Sequence, residues 1–300
     1  MSTDRPPRIA TTDLQAIIDG FPREVHEEPG RLMFTLAVKI IRHYLGQQWY
    51  EEHIFQDSGQ TRPPGFLRMN FSRGFEGERV NARRLDLAET LFNLQHIEGF
   101  DDRVDQLRRG DIESTIAELD LARFLYVHDV AFKFVVPVGE RGEDFDFAVS
   151  YDDGREACVD AKCRLEATEV RAETIRNSLN KARQNNLPAN RPGIIFVKVP
   201  PRWLEDHSVR DATHEVVKGF LRNSGRVVSV ILYAIAVSAM SEGALVLMRH
   251  RFDELPNPSH RFEMAKNWTL FRDYKIPLEW GGMHPKWVRV VSKGFLFRER

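Results

Sequence analysis

From Ala131 the chain reads AFKFVVPV, and Phe132, Phe134, Val136 and Val138 recur at the two-residue period of a strand with one buried face. GERGED then predicts a turn, FDFAVSY a second strand, DDG a hairpin signal and REACVDAK a third strand, together an antiparallel meander. Upstream, Asp111 follows Gly110 and is placed to cap a helix from Ile112 to about Val127. Downstream, Thr168 is placed to cap a helix running to about Asn186, with Ala172, Ile175, Leu179 and Ala182 on its buried stripe and Pro188 and Pro192 closing it. GIIFVKV predicts a fourth, fully buried strand. Strand, helix, strand over that distance favours a right-handed parallel crossover, so the expected sheet is mixed.

The flanks are less regular. The first thirty residues, with several Pro and Gly, predict a loose arm and one short helix near Asp13–Asp19. Leu32, Leu36, Ile40 and Tyr44 recur at helical spacing within a helix predicted from Leu32 to Trp49. A long loop is expected from Gln56 to Gly77, a helix over Arg84–His96, and partly helical chain to Gly110. Two strands are predicted over 226–240 and 244–252, around Ser241-Glu242-Gly243, and a short one near Val288–Val291. The pattern gives an α/β protein: a mainly helical region, 1–110, followed by 111–300, a mixed central sheet flanked by helices with a C-terminal β extension.

Strand alternation sorts the side chains of REACVDAK. Cys158, Asp160 and Lys162 share one face; Ala157, Val159 and Ala161, small and apolar, share the other and belong against a helix. An acid and an amine two residues apart inside an apolar strand are costly unless paired or bound to a metal. Asp146, fourteen residues before Asp160 and across the DDG turn, starts the neighbouring strand; Asp144 is on the same face. Hairpin pairing brings these acids beside Asp160 and Lys162. Clustered carboxylates repel unless a cation lies between them, and hard oxygen ligands suit magnesium or manganese. Such a cation polarises a phosphoryl oxygen and lowers the pKa of a bound water, while the lysine orients the nucleophile or offsets charge on the phosphate.

The stretch GEDFDFAVSYDDGREACVDAK resembles the signature of the PD-(D/E)xK, or restriction-endonuclease-like, nucleases. Asp146 or Asp144 matches the first acid, and Asp160-Ala161-Lys162 matches the D/ExK triplet. The resemblance covers about 111–200. It implies a restriction-endonuclease-like core, dependence on Mg2+ or Mn2+, and endonucleolytic hydrolysis of nucleic acid, DNA first. Many members place a glutamate on the helix before the first strand, and Glu118 matches; its neighbours one turn on are Leu121, Ala122 and Leu125, an otherwise inward stripe. Some members use a Gln or Lys on the helix after the triplet for contacts to nucleic acid, and Lys181 and Gln184 lie there. No proline precedes the first acid. The alternative from another class is a catalytically inactive nuclease-like binding or scaffold protein that meets a protein partner, or a second copy of itself, through the N-terminal helices.

Composition narrows the setting. Hydrophobic residues make up 42% and charged residues 29% of 300, an ordinary folded profile. A formal net charge of −1 gives no global pull on nucleic acid, so any basic surface must be local. Basic and aromatic residues meet in 62–73 (Arg62, Phe66, Arg68, Asn70, Phe71, Arg73) and near the C-terminus (Lys286, Trp287, Arg289, Lys293, Phe295, Phe297, Arg298), which could supply phosphate contacts and stacking. Cys158 and Cys163 are the only cysteines, too few for a disulfide framework or a structural zinc site. His207 and His214, seven apart, lack an accompanying acidic motif and read as surface residues. The first ten residues lack the basic-then-apolar order of a signal peptide, and no run approaches a membrane span; a cytoplasmic protein with no membrane partner is expected.

Overall fold

The computed structural model describes residues 5–55, 67, 74–127, 130–151, 154–164, 169, 171–239, 246–265, 270, 287–288 and 297–298. The helices of the first part are α1 (Thr11–Asp19), α2 (Arg23–His26), α3 (Pro29–Leu45), α4 (Gln47–Tyr50), α5 (Gly74–Leu94) and α6 (Phe100–Arg108), with a π-helical turn over Glu51–Phe55. The helix predicted over Leu32–Trp49 is therefore split. Gly46 takes φ +92, which stops α3, and Trp49 sits on α4 with its indole N–H donating to the Leu107 carbonyl at 2.7 Å. The helix predicted from Arg84 begins at Gly74.

Then follow α7 (Ile112–Val127), β1 (Ala131–Phe134), β2 (Phe147–Ser150), β3 (Glu156–Cys163), α8 (Ala172–Lys181), β4 (Gly193–Lys198), α9 (Arg202–Glu205), α10 (His207–Arg222), β5 (Val227–Ala239) and β6 (Val246–Pro256). Between α8 and β4 the helix widens into a π-helical turn, Ala182–Asn186, where Leu187 N reaches back five residues to Ala182 O at 3.1 Å. The six strands form one sheet in the order β1-β2-β3-β4-β5-β6. The β1–β2, β2–β3 and β5–β6 pairs are antiparallel and the β3–β4 and β4–β5 pairs parallel, so the sheet is mixed. The chain is α/β, as its pattern predicts.

Two further elements differ from expectation. β1 stops at Phe134, and Val136 and Val138, assigned to its inner face, are 53% and 66% exposed. The chain leaves the sheet there because β2 offers no partner beyond Phe147 other than Asp146 O, which accepts from Val135 N at 2.9 Å. The pattern predicts no element over 201–225, yet α10 lies there, bridging the parallel strands β4 and β5. Its buried stripe is short, Thr213, Val217, Phe220 and Leu221, and Asp206 caps it by accepting from Ser208 N (2.9 Å) and Val209 N (3.2 Å).

The faces of β3 sort as alternation requires. Ala157, Val159 and Ala161 join a hydrophobic cluster with α7 that continues through Leu36, Tyr44 and Leu91 of the N-terminal helices. Cys158 joins the opposite cluster with Ile175 and Leu179 of α8 and Val217 of α10. Helix α7 lies between α5 and the sheet and is buried on every side from Thr115 to Tyr126. Its charged residues are therefore paired inside: Glu118 with Arg103, Asp120 with Lys198, and Arg123 with Asp86 and Glu89.

The cap Thr168 and the turn Ser241-Glu242-Gly243 lie outside the described residues. So do 62–73 apart from Leu67, and 286–298 apart from the short paired strands β7 (Trp287–Val288) and β8 (Phe297–Arg298). Among the described residues no helix is long and apolar enough to cross a membrane.

Candidate functional site

Register assembles the site. Phe147 pairs with Val159, so Asp146 stands one step further along, beside Asp160. Asp146 N donates to Val159 O at 2.9 Å, and Ala161 N donates to the Asp146 carboxylate at 2.7 Å. Asp160 is fully buried. One of its oxygens accepts from Asn186 Nδ2 at 2.5 Å, and the other has the Lys162 ammonium 2.6 Å away. Lys162 Nζ also donates to the Ala161 carbonyl at 3.1 Å.

Glu118 reaches the same place from α7. Its carboxylate pairs with Arg103 Nη1, and that nitrogen lies 3.9 Å from Asp146 Oδ1. Arg103 is 1% exposed and is held by its other terminal nitrogen, which donates to Asp102 and to Val135 O at 2.8 Å each. Glu118, Asp146, Asp160 and Lys162 thus converge where β2 and β3 begin to part, with Arg103 paired to Glu118 and Asn186 to Asp160.

The charges of Glu118 and Asp160 both reach Asp146, so the three carboxylates cannot all be ionised at the usual cost. Burial lifts Asp146 well above the carboxylate range, and the charges of Glu118 and Asp160 lift it further, against the pull of Lys162 and the Ala161 N–H. Burial also raises Glu118 and Asp160, opposed by Arg103 in the first case and by Lys162 and Asn186 in the second. Lys162 shows the reverse balance. Burial pulls its pKa down, but Asp160 and Asp146 together outweigh it, so the amine is held as an ammonium.

The two acids left open by the sequence separate cleanly. Asp144 accepts from Val138 N (2.8 Å) and Gly139 N (3.0 Å), the turn chemistry of a short acidic side chain, and only Asp146 faces the cluster. Lys181 and Gln184 are exposed on the next helix and turn; the Lys181 charge reaches Asp160 and adds a small opposition to the rise in its pKa. Cys158 is buried among apolar side chains and pushed up to about 12, which keeps the thiol protonated and inert. His214 departs from its surface reading: it is half-buried, with Nε2 2.8 Å from Asp253 Oδ2, and ties α10 to β6.

No protein-family model matches the chain, and no curated protein is similar to it. The geometry carries the functional argument. Among the described residues no three acidic, histidine or cysteine side chains are grouped to enclose a metal ion. Asp146 and Asp160, adjacent and desolvated, are a donor pair of the kind magnesium takes, because that ion is held by one or two carboxylates and fills its other positions with water or phosphate oxygens.

Arg103 and Asn186 are absent from the sequence reading. Arg103 had a visible signal: it falls with Phe100, Val104 and Leu107 on the one buried stripe of α6. Asn186 had none, because its direction depends on the π-helical turn.

Proposed function

We propose that the chain is a divalent-metal-dependent phosphodiesterase of nucleic acid, a DNA endonuclease with a restriction-endonuclease-like core. The observation that carries this reading is the convergence of Glu118, Asp146 and Asp160 with the Lys162 ammonium at the parting ends of β2 and β3. Asp146 and Asp160 are the residues that would hold Mg2+ or Mn2+, with Glu118 in support. When bound, the ion would supply Lewis-acid polarisation of the phosphoryl oxygen and a lowered pKa for a bound water.

The protein's own groups then divide the work. Lys162 stays cationic, so it acts by donating: it orients the attacking water and stabilises negative charge building on the phosphate. Asn186 fixes the rotamer of Asp160, and the Ala161 N–H fixes that of Asp146. Arg103 holds Glu118 in place and opposes the rise that burial gives its pKa. Lys181 and Gln184, exposed beside the site, are positioned for backbone contacts.

Cleavage of plasmid and oligonucleotide substrates in Mg2+ or Mn2+ tests the reading. Asp160→Asn and Lys162→Ala should each lose activity by at least about 100-fold, the scale for removing an electrostatic stabiliser. Activity surviving both substitutions sinks the assignment. A second reading, a nuclease-like binding or scaffold protein without catalysis, draws on the internal pairing of Lys162 with Asp160 and Arg103 with Glu118, which balances the acids without a cation. It requires that calorimetric titration with Mn2+ give no heat of binding.

A further inference from the structure

Beyond the acidic cluster, the π-helical turn Ala182–Asn186 borders a second feature. While Asn186 faces Asp160, Arg183 and Gln184 line a cleft of about 420 Å³ that also holds Arg226, Arg261, Asn223 and Ser224. A cleft of about 320 Å³ shares Gln184, Ala189 and Arg226 with it and adds Arg141. Both volumes fall in the range of small-molecule sites, roughly 300–1,000 Å³. Four arginines from four separate stretches of chain meet in one trough.

Each guanidinium is anchored by main-chain carbonyls. Arg141 Nε donates to Gln184 O at 3.0 Å, and Arg183 Nη1 donates to Asn223 O and to Ser224 Oγ at 3.0 Å. Arg226 donates to Arg183 O and Arg261 to Ala189 O. Arg183 is further braced over the Phe220 ring, 5.3 Å from its centroid. Among the described residues no acidic group lies within ion-pair distance of any of the four. Glu143, the one described acid lining either cleft, is taken by Arg191 at 2.7 Å.

Four like charges gathered with no acid among the described residues beside them repel, and the pKa of Arg226 is lowered by burial and then by Arg183, Arg261 and Arg141. Arginine stays charged regardless, so the repulsion is not relieved by losing a proton. Anchoring one part of each planar fork to carbonyls leaves other N–H groups of the fork for a ligand and costs little entropy on binding. A tetrahedral dianion or phosphodiester with several acceptor oxygens is the ligand such forks match.

We propose that the Arg141–Arg183–Arg226–Arg261 trough is a phosphate-binding site. It holds a phosphate group without cleaving it, at a distance along the turn from the acids that would do the cleaving. That the phosphate belongs to a polynucleotide rests on the hydrolytic reading above; the anion site itself does not.

The test uses the full chain in EDTA, where no cleavage occurs. Binding of a labelled oligonucleotide is followed by fluorescence anisotropy, and binding of pyrophosphate by calorimetry, for wild type, Arg141→Gln/Arg261→Gln, Arg226→Gln and Arg23→Gln. Arg141 and Arg261 are exposed, so their double variant reports even where Arg226→Gln fails to fold. The trough variants should weaken binding by at least tenfold and lower the slope of log affinity against log salt by about 0.7 to 0.9 for each phosphate no longer neutralised. Arg23→Gln, at an exposed arginine of α2 that lines neither cleft, should not weaken it. Loss of oligonucleotide binding with no pyrophosphate binding in any form assigns the site to a polynucleotide backbone; pyrophosphate binding that disappears in the trough variants assigns it to a small phosphate compound. Equal affinities for wild type and the trough variants, with either ligand, overturn the proposal. Arginine-dependent binding without metal-dependent cleavage would overturn the nuclease reading and leave this site standing.

Discussion

Removing the Arg103 guanidinium would strand Glu118 in the core and leave Asp146 facing it with less compensation. Breaking a buried pair from one side costs roughly 3–5 kcal/mol, because the remaining charge has no solvent to turn to. Arg103→Met should therefore lower the denaturation midpoint strongly, and adding Glu118→Gln to it should recover part of the loss. Equal stability of Arg103→Met and wild type in chemical denaturation would show that the pair contributes nothing. The candidate acids were legible because a strand alternates: Asp160 and Lys162 could only share a face, and Asp146 could only enter beside them. What alternation could not supply was the choice between Asp144 and Asp146, since both point the same way. That choice was made by the turn at Val138 and Gly139, whose N–H groups needed an acceptor.

At the scale of elements, the approach of β1 to the start of α6 depends on one glycine. Gly99 has φ +81, and a Cβ there would come within 2.6 Å of Phe134 O and 2.7 Å of Phe134 Cβ. Phe134 N in turn donates to Glu98 O at 2.9 Å, so the two segments cannot simply part. Gly99→Ala carries both a left-handed backbone penalty and a backbone clash, and should cost more than about 1 kcal/mol. Urea denaturation measures it; a loss below about 0.5 kcal/mol would mean that the close approach yields. Strand β4 was readable as a sustained apolar run, β2 and β3 by alternation around a hairpin turn, and helix α7 by the capping position that follows Gly110. Helix α10 was not. Its buried residues are interleaved with His214, Glu215 and Lys218, and the signal that fixes its start is a hydrogen bond to Asp206 rather than a pattern.

The whole molecule shares one core between its N-terminal helices and its sheet, and the joint is charged. Between α5, α7 and the sheet, Asp86 faces Arg123, Asp120, Lys198 and Tyr233, with Glu89 one turn along its own helix. Burial pushes Asp86 up to about 6 from 3.8, and Arg123 limits the rise. A carboxyl whose folded pKa is raised binds its proton more tightly when folded. Its contribution to stability is thus greatest below about pH 4, declines as pH rises to about 6, and is level above that, by roughly 3 kcal/mol at most. Asp86→Asn should flatten the stability profile between about pH 4 and about pH 6, as read from thermal midpoints across that range. An unchanged slope would locate the titration elsewhere. None of this joint was legible in the sequence, because a helix buried on all sides has no polar face to mark its orientation, and its charges find partners more than thirty residues away.

The π-helical turn at Ala182–Asn186 has a consequence for how the chain can change. It holds one residue more than an α-helical turn, and that extra residue sets Asn186 toward Asp160 while Arg183 faces the other way. Substitution of the exposed Gln184 leaves this phase intact. Deleting one residue would swing Asn186 by roughly 100° about the helix axis and withdraw it by about 1.5 Å, removing the hydrogen bond that orients Asp160 without altering any side chain of the acidic cluster. The length of the turn is therefore constrained independently of the identity of its exposed side chains.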